Sequence, residues 1–159
     1  MMKVIRGDLI DLAIRGQFDV IIHGCNCFCT MGAGIAKSIK ETFPGAYAAD
    51  LNTAKGDRDK LGTFSSAAVK LDEHDLVVVN AYTQHRFGRS RGAAADMDAI
   101  QAVMRKVKTE FGGKRIGYPR IGAGLGRGNW ETISAIIEEA LAGEDHTLVE
   151  WDPGTNSRG

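Results

Sequence analysis

The chain has 159 residues, of which 43% are hydrophobic and 25% charged, values typical of one soluble globular domain that buries its own core. Twenty basic residues balance twenty acidic ones, which excludes a strong overall field for nucleic acid, so we expect no strong general nucleic-acid binding. The apolar stretches are too short to span a membrane, and the N-terminus lacks a signal-peptide pattern. We therefore expect a cytoplasmic monomer with no membrane partner.

Apolar and amphipathic stretches alternate along the chain. Strands are predicted at residues 2–6, 20–24, 63–71, 76–82, 115–118 and 146–151. Helices are predicted as a short turn that ends near residue 16 and at residues 35–43, 44–54, 93–111 and 130–141. This alternation predicts an α/β fold, a layered sheet covered by helices on both faces, in which ligands bind at the carboxyl ends of strands.

Local signals accompany several of these elements. Pro44 fits the first position of a helix, and the pair Gly112-Gly113 fits the end of the longest one. Residues 77–79 are three valines, which suit a central strand buried on both faces. Residues 84–92 are a predicted loop, and residues 153–159 are predicted to form a disordered tail because they are polar and contain glycine. The longest helix has an apolar face formed by Met97, Ile100, Met104, Val107 and Phe111.

Two glycine-rich turns follow predicted strands. The first lies within residues 22–37 and combines His23 and Asn26, which can polarise a ligand, with the loop Gly32-Ala33-Gly34. The backbone of such a loop can approach a phosphate at a helix start. The second turn covers residues 118–128. Two such turns could hold one diphosphate from both sides.

The three cysteines, Cys25, Cys27 and Cys29, alternate within five residues and have no partners elsewhere, which argues against disulfides. We expect reduced, small buried thiols. Their proximity to His23 leaves a soft-metal site open, but the structural-zinc spacing is missing, so we expect neither a metal nor another cofactor. A nucleophilic role also stays open, because a helix N-terminus lowers the pKa of a thiol.

Four segments, each at a predicted strand end, carry a family resemblance. They are residues 4–9 (Val-Ile-Arg-Gly-Asp-Leu), 23–26 (His-Gly-Cys-Asn), 31–36 (Met-Gly-Ala-Gly-Ile-Ala) and 119–125 (Pro-Arg-Ile-Gly-Ala-Gly-Leu). In this order they resemble the macrodomain family over essentially the whole chain up to Asp152. The resemblance implies a macrodomain at residues 1–152 with a three-layer α/β/α fold, a mixed central sheet of about six strands and a cleft for ADP-ribose.

The resemblance also implies roles for individual residues. Asp8 matches the acidic residue that accepts a hydrogen bond from the adenine amino group, with the Leu9 amide beside it. Trp151 matches the late aromatic residue that packs beside adenine, and Asn26 matches the residue that contacts the distal ribose. The two diphosphate loops correspond to Gly32, Ala33, Gly34 and Ile35, and to Ile121, Gly122, Ala123, Gly124 and Leu125.

Three of these positions have a purely structural alternative. Asp8 can be only a helix N-cap, and Trp151 on a terminal strand can belong to the core. His23, which follows an apolar stretch, can be a buried core histidine; its place in one loop with the other motifs favours the functional interpretation. The remaining histidines, at positions 74, 85 and 146, are expected to be surface or structural residues.

The His-Gly-Cys-Asn start and the Met-Gly-Ala-Gly loop look most like the phosphatase branch, which removes the terminal phosphate of ADP-ribose-1''-phosphate. This resemblance predicts ADP-ribose or ADP-ribose-1''-phosphate as the ligand, ADP-ribosylated macromolecules as possible partners, and His23 and Asn26 as catalytic residues. His23 can act as a general acid/base or as a nucleophile, and Asn26 can orient the distal ribose.

Other activities differ in the residues that they require. The branch that hydrolyses terminal ADP-ribose uses a lysine after the fourth strand and an aspartate in the second glycine loop. Those positions fall at Thr83 or Gln84 and at Gly126, which cannot do this work. A further branch carries a Gly-Gly-Val-Asp loop, whereas the first loop of this chain has no acidic residue.

Further classes stay open as alternatives. They are a non-catalytic ADP-ribose reader and a hydrolase of ADP-ribosyl bonds on protein or nucleic acid. A dinucleotide-dependent dehydrogenase is a weaker rival, because the G-x-G-x-x-G fingerprint and its acidic partner are missing. Arg86, Arg89 and Arg91, in the loop after the fourth strand, can clamp a terminal phosphate or form a merely solvated basic loop.

Overall fold

A computed structural model describes residues 1–88, 94–124 and 127–152, which form one six-stranded sheet between two layers of helices. The strands are β1 (Lys3–Gly7), β2 (Val20–Cys25), β3 (Phe64–Lys70), β4 (Asp75–Tyr82), β5 (Arg115–Tyr118) and β6 (Asp145–Trp151). The helices are α1 (Leu9–Ile14), α2 (Gly34–Thr42), α3 (Pro44–Leu51), α4 (Met97–Phe111) and α5 (Trp130–Ala140), with a short 3₁₀ turn at Arg58–Lys60. None of the helices in these ranges is both long and apolar enough to cross a membrane.

The sheet is mixed, as expected for the fold class. Its order is β1-β6-β5-β2-β4-β3, and every neighbouring pair is parallel except β3 with β4. The five parallel strands therefore end along one edge of the sheet. Loops that follow these strands are brought together at that edge, which is where ligands bind in open α/β sheets.

Both faces of the sheet are covered, which explains the continuous apolar runs of the central strands. On one face, α4 and α5 pack against Val20 and Ile22 of β2 and against Val79 of β4. On the other face, α1, α2 and α3 pack against Ile21 and Val78. Side chains that alternate along β2 thus enter opposite helix layers, and both layers are apolar.

Most predicted elements are confirmed within one or two residues, but two helices have different ends. The helix α3 begins at Pro44 as predicted but ends at Leu51 rather than at residue 54. The helix α4 begins at Met97 rather than at residue 93, and residue 93 itself lies outside the described ranges. Asp96 is the N-cap of α4, because its carboxylate accepts a hydrogen bond of 2.9 Å from the Ala99 amide. The predicted tail at residues 153–159 also lies outside the described ranges.

We expect the Asp96→Ala variant to lower the free energy of unfolding by about 1 kcal/mol, because the first turn of α4 loses its capping acceptor. Urea titration followed by circular dichroism measures this change. Asp96→Asn is the matched control, since asparagine caps nearly as well and should keep wild-type stability. Equal losses in both variants would show that the cap does not stabilise the helix.

Candidate functional site

Three neighbouring cavities lie along the edge where the parallel strands end. The edge cavity, of about 800 Å³, lies between Asp8 and Trp151. The central cavity, of about 240 Å³, lies between the two glycine loops. The deep cavity, of about 600 Å³, is lined by Asn26 and other residues that end or follow β2 and β4, and by Asp50 of α3. Gly124 lines all three cavities, and adjacent cavities share further residues, so they form one continuous cleft.

The edge cavity is built by the parallel pair β1 and β6. Gly7 and Trp151 are register partners, which places Asp8, the next residue, beside the end of β6. Asp8 is 3% exposed and is the N-cap of α1, since its carboxylate accepts from the Asp11 amide at 3.1 Å. Trp151 is 59% exposed and lines the cavity, which corrects the alternative of a core tryptophan. The cap and the cavity wall are therefore two roles of one aspartate.

One wall of the central cavity is the first glycine loop, residues 32–34, which presents backbone and no charged side chain to the cavity. The helix α2 begins at Gly34, and its N-cap is Ala33, which has no side-chain oxygen to accept from the first-turn amides. These amides and the positive end of the helix dipole therefore remain available to an anion in the cavity. On the opposite wall, Gly122 has a φ of +76°, and a Cβ there would lie 2.9 Å from that of Ala95. Only glycine fits that turn.

The deep cavity begins with an ordered turn after β2. The Asn26 side-chain oxygen accepts from the Phe28 amide at 2.8 Å, and its nitrogen donates to the Thr30 hydroxyl at 2.7 Å. Cys29 and Met31 follow with φ values of 58° and 41°, which are unusual for side chains of their size. The asparagine is thus held in place, and the second hydrogen on its nitrogen can still donate to a ligand.

Further side chains line the deep cavity. They are Thr30, Met31, Gln84, Phe87 and Arg127. The guanidinium of Arg127 supplies a positive charge, and the amide of Gln84 supplies both a donor and an acceptor. Asp50 of α3 lies in the same wall with 1% exposure, and its Oδ1 accepts from the Tyr82 hydroxyl at 2.7 Å. Burial raises the pKa of the Asp50 carboxyl, while the Tyr82 hydrogen bond and the charge of Lys60 oppose that rise.

His23 lies beneath the cleft and not in it. Its ring is fully buried, and Nε2 donates to Oδ1 of Asn80, its register partner on β4, at 2.7 Å. The Asn80 nitrogen donates in turn to the Ala46 carbonyl at 2.9 Å and to the Ser65 hydroxyl at 3.0 Å. Burial lowers the pKa of His23 to about 4, so the ring is neutral at pH 7.

This position gives no contact between the His23 ring and the cleft, so direct action of His23 on a ligand stays a prediction. Its ring does not line any of the three cavities described, and the Cys25 thiol, which does line the deep cavity, lies 3.6 Å from Nε2. The side chains of residues 21, 23 and 25 project to the same face of β2, and only the last of them reaches the end of the strand. His23 therefore stabilises the buried polar network through its hydrogen bond to Asn80.

The three cysteines are free and buried, as predicted. Burial raises the pKa of the Cys27 thiol to about 11 and that of Cys25 well above its usual range. These two residues are therefore thiols at neutral pH, which contradicts a thiolate nucleophile at either position. Within the described ranges, no group of three or more His, Cys, Asp or Glu side chains is arranged to hold a metal ion.

The remaining histidines have structural partners. The His74 and His85 rings hydrogen bond at 2.9 Å to the carbonyls of Ala13 and Gly56, and His146 bonds the Tyr118 hydroxyl at 2.7 Å. These contacts agree with the structural role expected for all three.

The basic loop after β4 is described only in part. The Arg86 guanidinium lies 5.3 Å from the ring centre of Phe28, and Arg86 is exposed. Of the described arginines, Arg127 and not Arg86 lines the deep cavity. Arg89 and Arg91 lie outside the described residues, so the predicted clamp is untested at those two positions.

The structure brings the other sequence-predicted site residues together along the cleft. Those that line it are Asp8, Leu9, Asn26, Gly32, Ala33, Gly34, Ile35, Ile121, Gly122, Ala123, Gly124 and Trp151. Leu125 lies outside the described residues. The sequence analysis missed Asp50, although a signal existed: it follows the buried Ala46 by four residues on the apolar face of α3, where a carboxylate needs a partner.

Comparison with known proteins agrees with this fold. A family model described as Macro domain matches residues 22–137. The chain therefore belongs to the Macro domain family. An uncharacterised 17.5 kDa protein of Enterobacteria phage T4 is 35% identical over 96% of this chain and 98% of its own length.

Two further relatives carry names that describe an activity. An ADP-ribose glycohydrolase OARD1 of Bos taurus is 30% identical over 89% of this chain and 86% of its own. An ADP-ribose 1''-phosphate phosphatase of Meyerozyma guilliermondii is 24% identical over 87% of this chain and 93% of its own.

Solved structures share the fold at low sequence identity. The macrodomain of Thermus aquaticus DarG has a TM-score of 0.74 and 22% identity, with 96% of this chain and 99% of that chain covered. Thermosipho africanus DarTG in complex with ADP-ribose has a TM-score of 0.70 and 16% identity, with 98% of this chain and 43% of that chain covered. These likenesses confirm the three-layer fold.

We expect the stability of the protein to fall as the pH decreases from about 6.5 to about 4, in part because of His23. In this window the unfolded chain binds a proton at His23 that the folded protein does not, so protonation favours unfolding. The loss from this residue is about 2 kcal/mol between pH 7 and pH 5. Urea titrations at both pH values measure it as the difference between the wild type and His23→Gln, whose amide can still donate to Asn80.

The matched control is His74→Gln, which lies outside this network and should keep the pH dependence of the wild type. If His23→Gln loses stability with pH as steeply as the wild type, the ring is not held neutral by burial.

Proposed function

We propose that this protein binds ADP-ribose in its cleft and removes the terminal phosphate of ADP-ribose 1''-phosphate. The observation that carries the proposal is the order of chemical environments along the cleft. A buried carboxylate and an indole stand at one end, an uncapped helix start and a second glycine loop in the middle, and a polar cavity at the other end. ADP-ribose has its adenine, diphosphate and second ribose in the same order.

The edge cavity suits adenine. The Asp8 carboxylate accepts a hydrogen bond from the exocyclic amine of adenine. Neither a phosphate nor a sugar ring carries such an aromatic amine. The exposed indole of Trp151 supplies an apolar surface beside the base. The Leu9 amide lies next to Asp8 at the start of α1 and is a further donor for a ring nitrogen.

The central cavity suits a diphosphate. Arg120 lines it, but its guanidinium is paired with the Glu150 carboxylate, so side-chain charge is already compensated there. The amides at the start of α2 and those of the second glycine loop therefore hold the diphosphate oxygens. The backbone amides can bind the diphosphate directly, without a metal ion between protein and ligand.

The deep cavity suits the distal ribose and its terminal phosphate. Asn26 orients the ribose through its remaining amide hydrogen, and Arg127 pairs with the phosphate oxygens. Water attacks phosphorus, the bond to the sugar oxygen breaks, and that oxygen takes up a proton, so the products are ADP-ribose and inorganic phosphate. The relative from Meyerozyma guilliermondii, which is named for this reaction, supports the choice of substrate.

A second candidate is hydrolysis of an ADP-ribosyl bond on a macromolecule. It is favoured by the relative from Bos taurus, which is named an ADP-ribose glycohydrolase. That relative is 30% identical to this chain, whereas the phosphatase of Meyerozyma guilliermondii is 24% identical. Against it, Thr83 is buried and Gln84 carries no amine, so neither can replace the lysine that the resemblance requires at this position. Gly126, the position of the second missing group, lies outside the described residues.

The proposal is tested by incubating the protein with ADP-ribose 1''-phosphate and measuring inorganic phosphate. We expect release by the wild type and a KM raised about tenfold or more in Arg127→Gln, because a charge-assisted hydrogen bond to the phosphate is lost. Arg86→Gln is the matched control and should behave as the wild type. Binding of ADP-ribose without phosphate release would instead indicate a reader or the hydrolase of another bond.

The adenine assignment has its own test in Asp8→Asn. Asparagine still caps α1, but it replaces one acceptor oxygen by an NH₂ donor, which cannot accept from the adenine amine. We expect the Kd for ADP-ribose, measured by calorimetry, to rise about tenfold while the melting temperature changes little. An unchanged Kd would remove Asp8 from the adenine site.

A further inference from the structure

Asp50 lines the wall of the deep cavity, and the hydrogen bonding of its carboxylate is incomplete. Oδ1 of Asp50 accepts from the Tyr82 hydroxyl, whereas Oδ2 is buried and has no hydrogen-bond partner among the described residues. Leaving such an acceptor unpaired is unfavourable, and more so for a charged group. A fold that retains this cost at the wall of a binding cavity has an acceptor ready for a donor that enters there.

The carboxyl is held in place by a chain of hydrogen bonds. The Tyr82 hydroxyl lies 2.7 Å from the Ser65 hydroxyl, which also accepts from Asn80. Asn80 is in turn fixed by His23 from below. Because each group is buried or partly buried and is held by its neighbour, the direction of the Asp50 side chain is set before any ligand arrives.

The backbone around Asp50 is fixed as well. Its carbonyl accepts from the Thr53 hydroxyl at 2.6 Å and from the Cys29 thiol at 3.2 Å. Lys60, whose charge acts on the Asp50 carboxyl, is buried and donates to the Cys27 carbonyl at 3.0 Å, with its ammonium 4.6 Å from the ring centre of Tyr82. The charge of Lys60 favours the ionised form of the buried Asp50 carboxyl. Lys60 does not form an ion pair with Asp50 among the described contacts.

We propose that Asp50 determines specificity for the distal sugar, because its Oδ2 accepts a hydrogen bond from a sugar hydroxyl that enters the deep cavity beside it. This inference rests on the proposed function. A hydroxyl suits the position and a phosphate does not, since a carboxylate repels phosphate oxygens at close range. Arg127, which is exposed and lines the same cavity, binds the anionic substituent. Asp50 therefore binds a hydroxyl and Arg127 a phosphate of the same sugar.

The test compares two ligands on each protein by calorimetry, ADP-ribose and ADP, which lacks the distal sugar. In the wild type, ADP-ribose should bind more tightly than ADP. In Asp50→Asn, which replaces one acceptor oxygen by a donor, the Kd for ADP-ribose should rise about tenfold, whereas the Kd for ADP should change less than about twofold. The matched control is Asp72→Asn, an exposed aspartate outside the cleft, which should leave both values unchanged.

Tyr82→Phe is the second variant and covers the case in which Asp50→Asn does not fold. It removes the hydroxyl that orients the carboxyl, so it should reduce the preference for ADP-ribose over ADP in the same direction by about threefold or more. An unchanged preference in the variants that fold overturns the role of Asp50. Equal weakening of both ligands also overturns it, because a general structural defect affects ADP as well.

Failure of the proposed function gives a different result. A wild-type protein that binds neither ADP-ribose nor ADP contradicts the assignment of the cleft itself, whatever the variants do. Binding of both ligands by the wild type, with no phosphate released from ADP-ribose 1''-phosphate, leaves the role of Asp50 testable by the same ratio of affinities.

Discussion

The parallel pairing of β2 with both β4 and β5 is the constraint on which the rest of the cleft depends. It places three carboxyl ends side by side in the centre of the sheet. The first glycine loop follows β2, the second follows β5, and Gln84 follows β4 with one residue between. Because the order of strands in space differs from their order in the chain, loops that are about ninety residues apart in sequence meet across one cavity. No local interaction within either loop could achieve this.

The same pairing creates a polar core within an apolar layer. His23 and Asn80 are register partners, and their side chains hydrogen bond beneath the deep cavity between β2, β4 and α3. Buried polar groups are costly unless they are paired, and this network is paired up to its last member, Asp50, at the cavity wall. The network therefore connects the centre of the sheet, through fixed hydrogen bonds, to the wall of the deep cavity. It also explains why a histidine near a binding loop need not contact a ligand.

The sequence predicted the layers, the order of the elements and most of the cleft, because these follow from apolar periodicity and from glycines at strand ends. It could not predict the position of His23, since both faces of β2 are covered by helices and alternation does not show which residue reaches the strand end. Asp50 was missed because α3 is short and the sequence analysis used only its proline start and its approximate end. The start of α4 was placed too early, at residue 93, whereas in the structure the helix begins directly after the Asp96 cap. Tertiary contacts decide the positions of His23 and Asp50, whereas a local side-chain cap decides the start of α4.

A chain with no net charge can still favour an anionic ligand if its charges are arranged unequally along one cleft. In the central cavity, Glu150 compensates Arg120, so the attraction comes from backbone amides, whose dipoles are fixed by the fold and need no reorganisation. In the deep cavity, Arg127 makes no ion pair with any described residue, whereas Asp50 is buried below it. The exposed Arg127 supplies a positive charge for a phosphate, and the buried Asp50 supplies an acceptor for a hydroxyl. The two residues therefore suit different groups of a phosphorylated sugar. If Asp50 accepts from the sugar as proposed, a ligand of uniform negative charge is attracted by Arg127 but repelled by Asp50, so the cavity favours a ligand that carries both a hydroxyl and a phosphate.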